Sequence, residues 1–442
     1  MLAVVLSMAL SLPAAPAGAV TPIQAANTPT PIPNAVNGAL PASSLIGVAP
    51  NCVADRAAAP SLGLLLAEAR ETGVLLGTEQ CYRSLADEVA VRQQATTAGN
   101  ASCAAPVATG PGGPVGTSMH GWGKAVDFFD AGGTVGFGSP GYQWLQAQAG
   151  QVGWNHPGWA QPGGSSCPEA WHWEWVGDGG TFGDSPIRAD VVGLIPTADG
   201  RGYSTITGLG GLANLGDAAN QGSAATLPLN WLIVGGARTP DGGGTWLVGS
   251  DGGIFTFGDA AFFGSTGGVA LNQPIVGMAP TPTGHGYWLV AADGGVFSFG
   301  DARFFGSTGG MALNRAIVGM AATPTGRGYW LVAADGGIFS FGDARFAGST
   351  GGLTLNSPVV GMAPTPSGQG YWLVATDGGI FTFGDARFRG SAAAPPGAPG
   401  APGTPVAPVV GVARTPSGAG YWTVAADGTV SAFGDAPGLG NG

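Results

Sequence analysis

The chain is short of charge, with Asp, Glu, Lys and Arg making up only 9% of its 442 residues. Basic residues are the scarcer kind: 15 Lys plus Arg stand against 26 Asp plus Glu, giving a net charge of -11. Phosphate recognition needs a basic surface, so no nucleic-acid partner is expected, and adhesion to anionic lipid by charge is excluded with it. Long apolar runs are missing too. The N-terminal one, Leu2 to Leu12, falls short of the roughly 20 residues that span a bilayer. There is no Cys-x-x-Cys pair, which argues against a cysteine-rich zinc site. Histidines number only four, so each can be weighed.

Glycine and proline are abundant, at 83 and 35 residues, which suits turn-rich β structure and linkers better than helical bundles. The length exceeds one hydrophobic core, so at least two domains are expected. The apolar run, followed by Pro13 and the small residues Ala14 to Ala19, reads as a signal peptide over 1–19 with an A-x-A-type site at Ala17-Gly18-Ala19. It lacks a basic leading segment, so an uncleaved anchor or a misassigned start is the alternative. Residues 20–50, rich in Pro, Ala, Thr and Asn, read as a solvated extended linker, with folding expected from about Cys52. Cys52, Cys81, Cys103 and Cys167 make an even set, which in an exported chain implies two disulfides. Three pairings are possible, and we favour Cys52 with Cys81 and Cys103 with Cys167; free buried thiols would fit a cytoplasmic chain instead.

From Ser61 to Thr72 apolar residues recur at helical spacing (Leu62, Leu65, Leu66, Ala69), with Gly73 as a C-terminal cap. A strand is expected at Val74–Leu76, and further helices over Asp87–Gln94 and Tyr142–Gln148. Residues 51–177 are therefore expected to form an α+β domain.

Past Val176 a repeat takes over. GYWLVAADGGVFSFGDARFFGSTGG at 286–310 returns as GYWLVAADGGIFSFGDARFAGSTGG at 328–352. Trp246, Trp288, Trp330 and Trp372 fall 42 residues apart, and Trp422 follows a Pro/Gly/Ala insertion expected to be a surface loop. A weaker copy has Tyr203 at the aromatic position, and Thr181-Phe182-Gly183-Asp184 is a leading fragment. About four short strands per unit match the blades of a six- or seven-bladed β-propeller over 178–442, with a linear β-solenoid as the alternative.

The chemistry concentrates in Ser118-Met119-His120-Gly121-Trp122-Gly123-Lys124-Ala125-Val126-Asp127, followed by Glu169-Ala170-Trp171-His172. Zinc in a hydrolase commonly takes three His, Asp or Glu ligands and keeps a fourth position for water, a set that His120, Asp127 and His172 supply. A carboxylate that is not a ligand must then take a proton from water and pass it to the leaving amine, and Glu169 is the candidate. On a regular strand Glu169 and His172 would face opposite ways, so a bulge or a place at the strand entrance is required.

The pattern SxHxxGxAxD followed by ExxH resembles the D-alanyl-D-alanine carboxypeptidase family of zinc peptidases. That family includes the vancomycin-resistance D,D-peptidases and is similar in core fold to lysostaphin-type enzymes and the hedgehog signalling domain. The resemblance covers residues 52 to about 177 and implies a secreted, cell-wall-associated peptidase with a small antiparallel sheet around the zinc, acting on peptidoglycan stem peptides. It further implies that Ser118 contacts the substrate and that Arg83 stabilises the oxyanion, where a cation is physically apt. Relatives often carry Gln where this chain has Glu88, and Arg83 could instead form a salt bridge with Asp87 or Glu88. An endopeptidase would use the same chemistry. A surface binding protein whose repeats do the work, with a structural zinc, is the reading of another class.

The remaining residues read more plainly. His156 is taken as a loop residue, with a place lining the cleft as a secondary acid or substrate contact as the alternative, and His285 as a solvated turn residue because equivalent repeat positions hold Arg327, Gln369 and Ala419. Most of Trp122, Trp171, Trp173 and Trp175, and the repeated Tyr-Trp pairs, are expected to pack cores. The repeats are expected to bind wall polymer or a protein partner.

Overall fold

The computed structural model describes residues 32, 34–110, 113–177, 191–393 and 407–442. The expected signal peptide, the first part of the expected linker, the Thr181–Asp184 fragment and most of the Pro/Gly/Ala insertion lie outside these residues.

Packed structure begins before Cys52. Strand β1 (Leu45–Ala49) pairs antiparallel with β2 (Cys52–Asp55), and Leu40 and Ile46 are buried. The linker expected over 20–50 is thus folded at its C-terminal end. Leu45, Ile46 and Val48 form a short strand-favouring run that the surrounding Pro and Ala obscure. Helix α1 (Ala59–Thr72) buries Leu62 and Leu65 and ends on Gly73 at φ 80°, the left-handed cap its sequence calls for. Strand β3 (Gly77–Gln80) starts three residues beyond the expected Val74. Helix α2 (Leu85–Thr97) opens on a reciprocal cap between Ser84 and Asp87.

A small hairpin, β4 (Ala108–Gly110) with β5 (Gly113–Val115), leads to the central strand β6 (Ala125–Asp130). Short β7 (Gly133–Thr134), helix α3 (Pro140–Gln148), β8 (Trp154–Asn155) and β9 (His172–Trp175) complete an antiparallel sheet of order β3-β6-β9-β8, with β7 beside β6. This is the expected small α+β domain. Disulfides join Cys52 to Cys81 and Cys103 to Cys167, the favoured pairing.

The rest of the described chain is all-β repeats: six antiparallel sheets of three strands each, the first of them β10 (Val191–Pro196), β11 (Gly202–Thr207) and β12 (Leu212–Gly216). The expected four-stranded propeller blades are corrected by this. The segment after each third strand is Gly-rich and lacks alternation, so it forms no strand; it crosses to the next repeat. There the Phe305 amide donates to the Tyr329 hydroxyl at 3.1 Å, and that hydroxyl donates to the Gly306 carbonyl at 2.6 Å. Among the described residues no hydrogen-bonded ladder joins one sheet to the next, so the sheets are not closed into a propeller in that sense. Side chains do pack from repeat to repeat: Tyr287 lies on Trp246 at 5.8 Å between ring centres, and Tyr203 of the first repeat on Trp422 of the last at 5.9 Å. The repeated Tyr and Trp are buried, as expected of core residues, and His285 is exposed.

The two regions share one core. Leu62 and Leu65 of α1 belong to the same buried cluster as Leu232, Ile233 and Leu247, and the Gly47 amide donates to the Asn230 carbonyl at 2.7 Å. Among the described residues no helix is long and apolar enough to cross a membrane.

Candidate metal centre

Each fixed position of the Ser118–Asp127 motif has a local task. Ser118 caps a 3-10 turn (Met119–Trp122) by accepting the His120 amide at 3.2 Å. Gly123 ends that turn at φ 64°, and a Cβ there would sit 2.7 Å from the Asp55 nitrogen, so no larger residue fits. The turn delivers the chain into β6, where buried Ala125 starts the strand and Asp127 follows two residues on, on the same face. Asp127 then stands directly opposite His172 in the antiparallel register of β6 and β9.

Three donor atoms converge as a result. Asp127 Oδ1 lies 3.1 Å from His120 Nε2 and 3.0 Å from His172 Nδ1, and the two nitrogens are 3.2 Å apart. All three residues are buried, and together they form a group able to hold a metal ion. The opposite ring nitrogens are pinned: His120 Nδ1 donates to the Cys81 carbonyl at 2.6 Å, and His172 Nε2 to Glu174 Oε1 at 3.1 Å. Protons held there leave the inward nitrogens free to act as ligands, and a donor set of two imidazoles and one carboxylate suits zinc. The residues present therefore fit that ion.

The electrostatics are those of a tightly coupled site. Burial favours a neutral Asp127, but the charges and hydrogen bonds of His120 and His172 outweigh it and hold the carboxyl well below the usual carboxylate range. Burial likewise works against a charged His172, yet hydrogen bonds to Asp127 and Glu174 and their charges push it up to about 9. For His120 burial prevails and its pKa is lowered.

Glu169 precedes β9 rather than lying in it, the strand-entrance position that the spacing requires; the His172 amide donates to its carbonyl at 3.3 Å. Burial raises its pKa, His172 lowers it, Asp127 raises it further and Arg83 opposes. Arg83 reaches Asp127 Oδ2 at 3.6 Å and donates to the Gln80 side chain. Among the described residues it makes no salt bridge with Asp87 or Glu88: Asp87 caps α2, and Glu88 is buried near the Ser118 turn. The Ser118 hydroxyl is occupied as a cap, and the residue is buried.

Sequence reasoning missed three participants and set a fourth, His156, aside. Glu174 lies two residues beyond His172 on the same strand face, a spacing that could have revealed it. The Cys81 carbonyl carries no side-chain signal. His156, read as a loop residue, is buried: its Nε2 donates to the Glu169 carbonyl at 2.9 Å, and its ring stacks on Trp173 at 5.0 Å. Trp159, 41% exposed, stands at the lip of the site with its ring 5.0 Å from that of His172. Trp173 and Trp175 are buried, as packing residues should be.

This geometry defines a site able to hold a metal ion. Residues 52–178 match the model of the VanY family, described as D-alanyl-D-alanine carboxypeptidase. The region is a domain of that type, and the repeats lie outside the match. Comparison with curated proteins finds no match.

Proposed function

We propose that the protein is an extracytoplasmic zinc carboxypeptidase that removes the terminal D-alanine from peptidoglycan stem peptides. The observation that carries this reading is the convergence of His120 Nε2, Asp127 Oδ1 and His172 Nδ1 with both outer imidazole nitrogens pinned. A zinc ion held there supplies Lewis acidity, polarising a carbonyl and acidifying water. Glu169, whose pKa is raised by burial, accepts a proton from the attacking water and delivers it to the leaving amine. His156 fixes the Glu169 backbone, and Arg83 offers positive charge to the developing oxyanion. Ser118 contacts the substrate in this reading, in addition to capping its turn, and Trp159 flanks the bound peptide.

The two disulfides support an oxidising compartment, hence secretion or wall association. Kinship in core fold with lysostaphin-type enzymes and the hedgehog domain belongs to the same reading. Domain limits of 51–177 and 178–442 are part of the same reading, supported by the family match over 52–178 and by the repeat pattern.

Glu169→Gln should lower hydrolysis of a soluble peptide ending in D-Ala-D-Ala by about 10²- to 10⁴-fold, with the metal retained. Unchanged turnover with metal bound would refute the assigned base. Release of internal fragments from wall material without free D-alanine would replace the carboxypeptidase by an endopeptidase.

A further inference from the structure

The repeats present a row of large apolar side chains to solvent where a stable monomer gains nothing from them. Phe262, Phe304, Phe346 and Phe388 occupy one equivalent position in four consecutive repeats and are 59 to 62% exposed. Val269, Met311 and Leu353, seven residues after the first three of them, are 58 to 64% exposed. The first and last repeats carry Asn220 and Gly438 instead, so the row is one continuous run with two ends.

These phenylalanines are held from both sides. The residue before each accepts a hydrogen bond from a buried Trp Nε1: Ala261 from Trp246 at 2.8 Å, Arg303 from Trp288 at 2.7 Å, Arg345 from Trp330 at 2.8 Å and Arg387 from Trp372 at 2.9 Å. The residue after each donates its amide to a buried Tyr hydroxyl of the next repeat, at 3.1 Å in all four cases. The buried aromatic pair of each repeat thus does more than fill a core: it clamps the backbone on either side of an exposed ring. A ring fixed in this way loses little freedom on meeting a ligand. Three of the four are preceded by exposed arginines, Arg303, Arg345 and Arg387, and none of these has a carboxylate at salt-bridge distance among the described residues. Arg345 does donate to the Gln369 side chain at 3.2 Å, but its charge, like the other two, is not neutralised. In a chain of net charge -11, exposed cations without a salt-bridge partner beside exposed aromatics complement an anionic ligand with apolar faces.

We propose that the Phe262–Phe388 row is a multivalent binding surface for peptidoglycan strands, the rings stacking on sugar faces and the arginines meeting stem-peptide carboxylates. Four equivalent contacts at a fixed interval suit a periodic polymer, because each further contact is made within one complex and the weak individual affinities multiply. This surface rests on the proposed wall substrate and deepens it by naming what holds the enzyme there.

The test is co-sedimentation of the full chain with purified insoluble peptidoglycan stripped of attached polymers, alongside hydrolysis of a soluble D-Ala-D-Ala peptide. The triple variant Phe304→Ser/Phe346→Ser/Phe388→Ser changes only exposed side chains. It should lose at least tenfold in apparent wall affinity while cleaving the soluble peptide at the parental rate. Arg303→Gln/Arg345→Gln/Arg387→Gln should also bind more weakly and show a flatter dependence on salt. Equal sedimentation of parent and Phe variant, binding only to wall that retains its attached polymers, or a row that mediates only self-association would each overturn the surface. Wall binding that needs the row, in a protein that never cleaves the peptide, would leave the surface standing and sink the peptidase reading.

Discussion

At the scale of single residues, the centre depends on groups that are not ligands. Glu174 holds the His172 proton on Nε2, so Glu174→Gln should weaken zinc affinity by about 10- to 100-fold, measured by competition with a chromophoric chelator. Parental affinity would show that the strand alone orients the imidazole. In the metal-free site, hydrogen bonds to Asp127 and Glu174 and their charges push the His172 pKa up to about 9, so a metal must displace a proton from the imidazole. Below that pH the apparent affinity should fall by about tenfold per unit, since binding must release the proton; a flat profile from pH 8 to 6 would show that the imidazole is not held protonated. That His120, Asp127 and His172 could converge on one metal was legible in sequence because residue type, spacing and family pattern agree on them. Glu174, His156 and the Cys81 carbonyl were not, because their roles arise from strand pairing and burial that one-dimensional spacing does not encode. Trp159 escaped for a similar reason: it acts by its place at the rim.

Among the elements, the turn from Ser118 to Gly123 does most to place His120. Gly123 adopts a left-handed conformation against the Asp55 backbone, so Gly123→Ala should destabilise the protein by roughly 1–3 kcal/mol and lower its melting temperature by several degrees. A melting temperature equal to the parent's would show that the turn relaxes at no cost. Helices α1, α2 and α3 could be read from apolar spacing, caps and Pro140, with ends shifted by a few residues. Strand β1 hid inside a Pro- and Ala-rich stretch, its partner β2 separated from it by only a tight turn. The repeats announced their period and their strands, yet not the number per unit. The crossing segment carries aromatics and Gly-Asp like a strand's surroundings, but its backbone bonds go to tyrosine hydroxyls of the neighbouring repeat.

For the whole molecule, the continuous core between α1 and the second repeat is the feature that composition could not foretell. A Cβ on Gly63 would meet Leu232 Cδ1 at 2.7 Å, so the domain of the metal centre and the repeats touch through side chains that leave no slack. Calorimetry should therefore show the two regions unfolding together, and Leu232→Ala should lower that shared transition by about 2–4 kcal/mol of stability. Two well-separated transitions would mean that the regions are independent. The division of labour proposed here joins chemistry at one end to retention along the repeats, and both depend on the metal centre being catalytic. Its most direct measurement is release of free D-alanine from a soluble peptide ending in D-Ala-D-Ala by the full chain loaded with zinc. Release that stops on chelation and returns with added zinc is the predicted result; no release from the zinc-loaded protein, or release indifferent to the chelator, would contradict it.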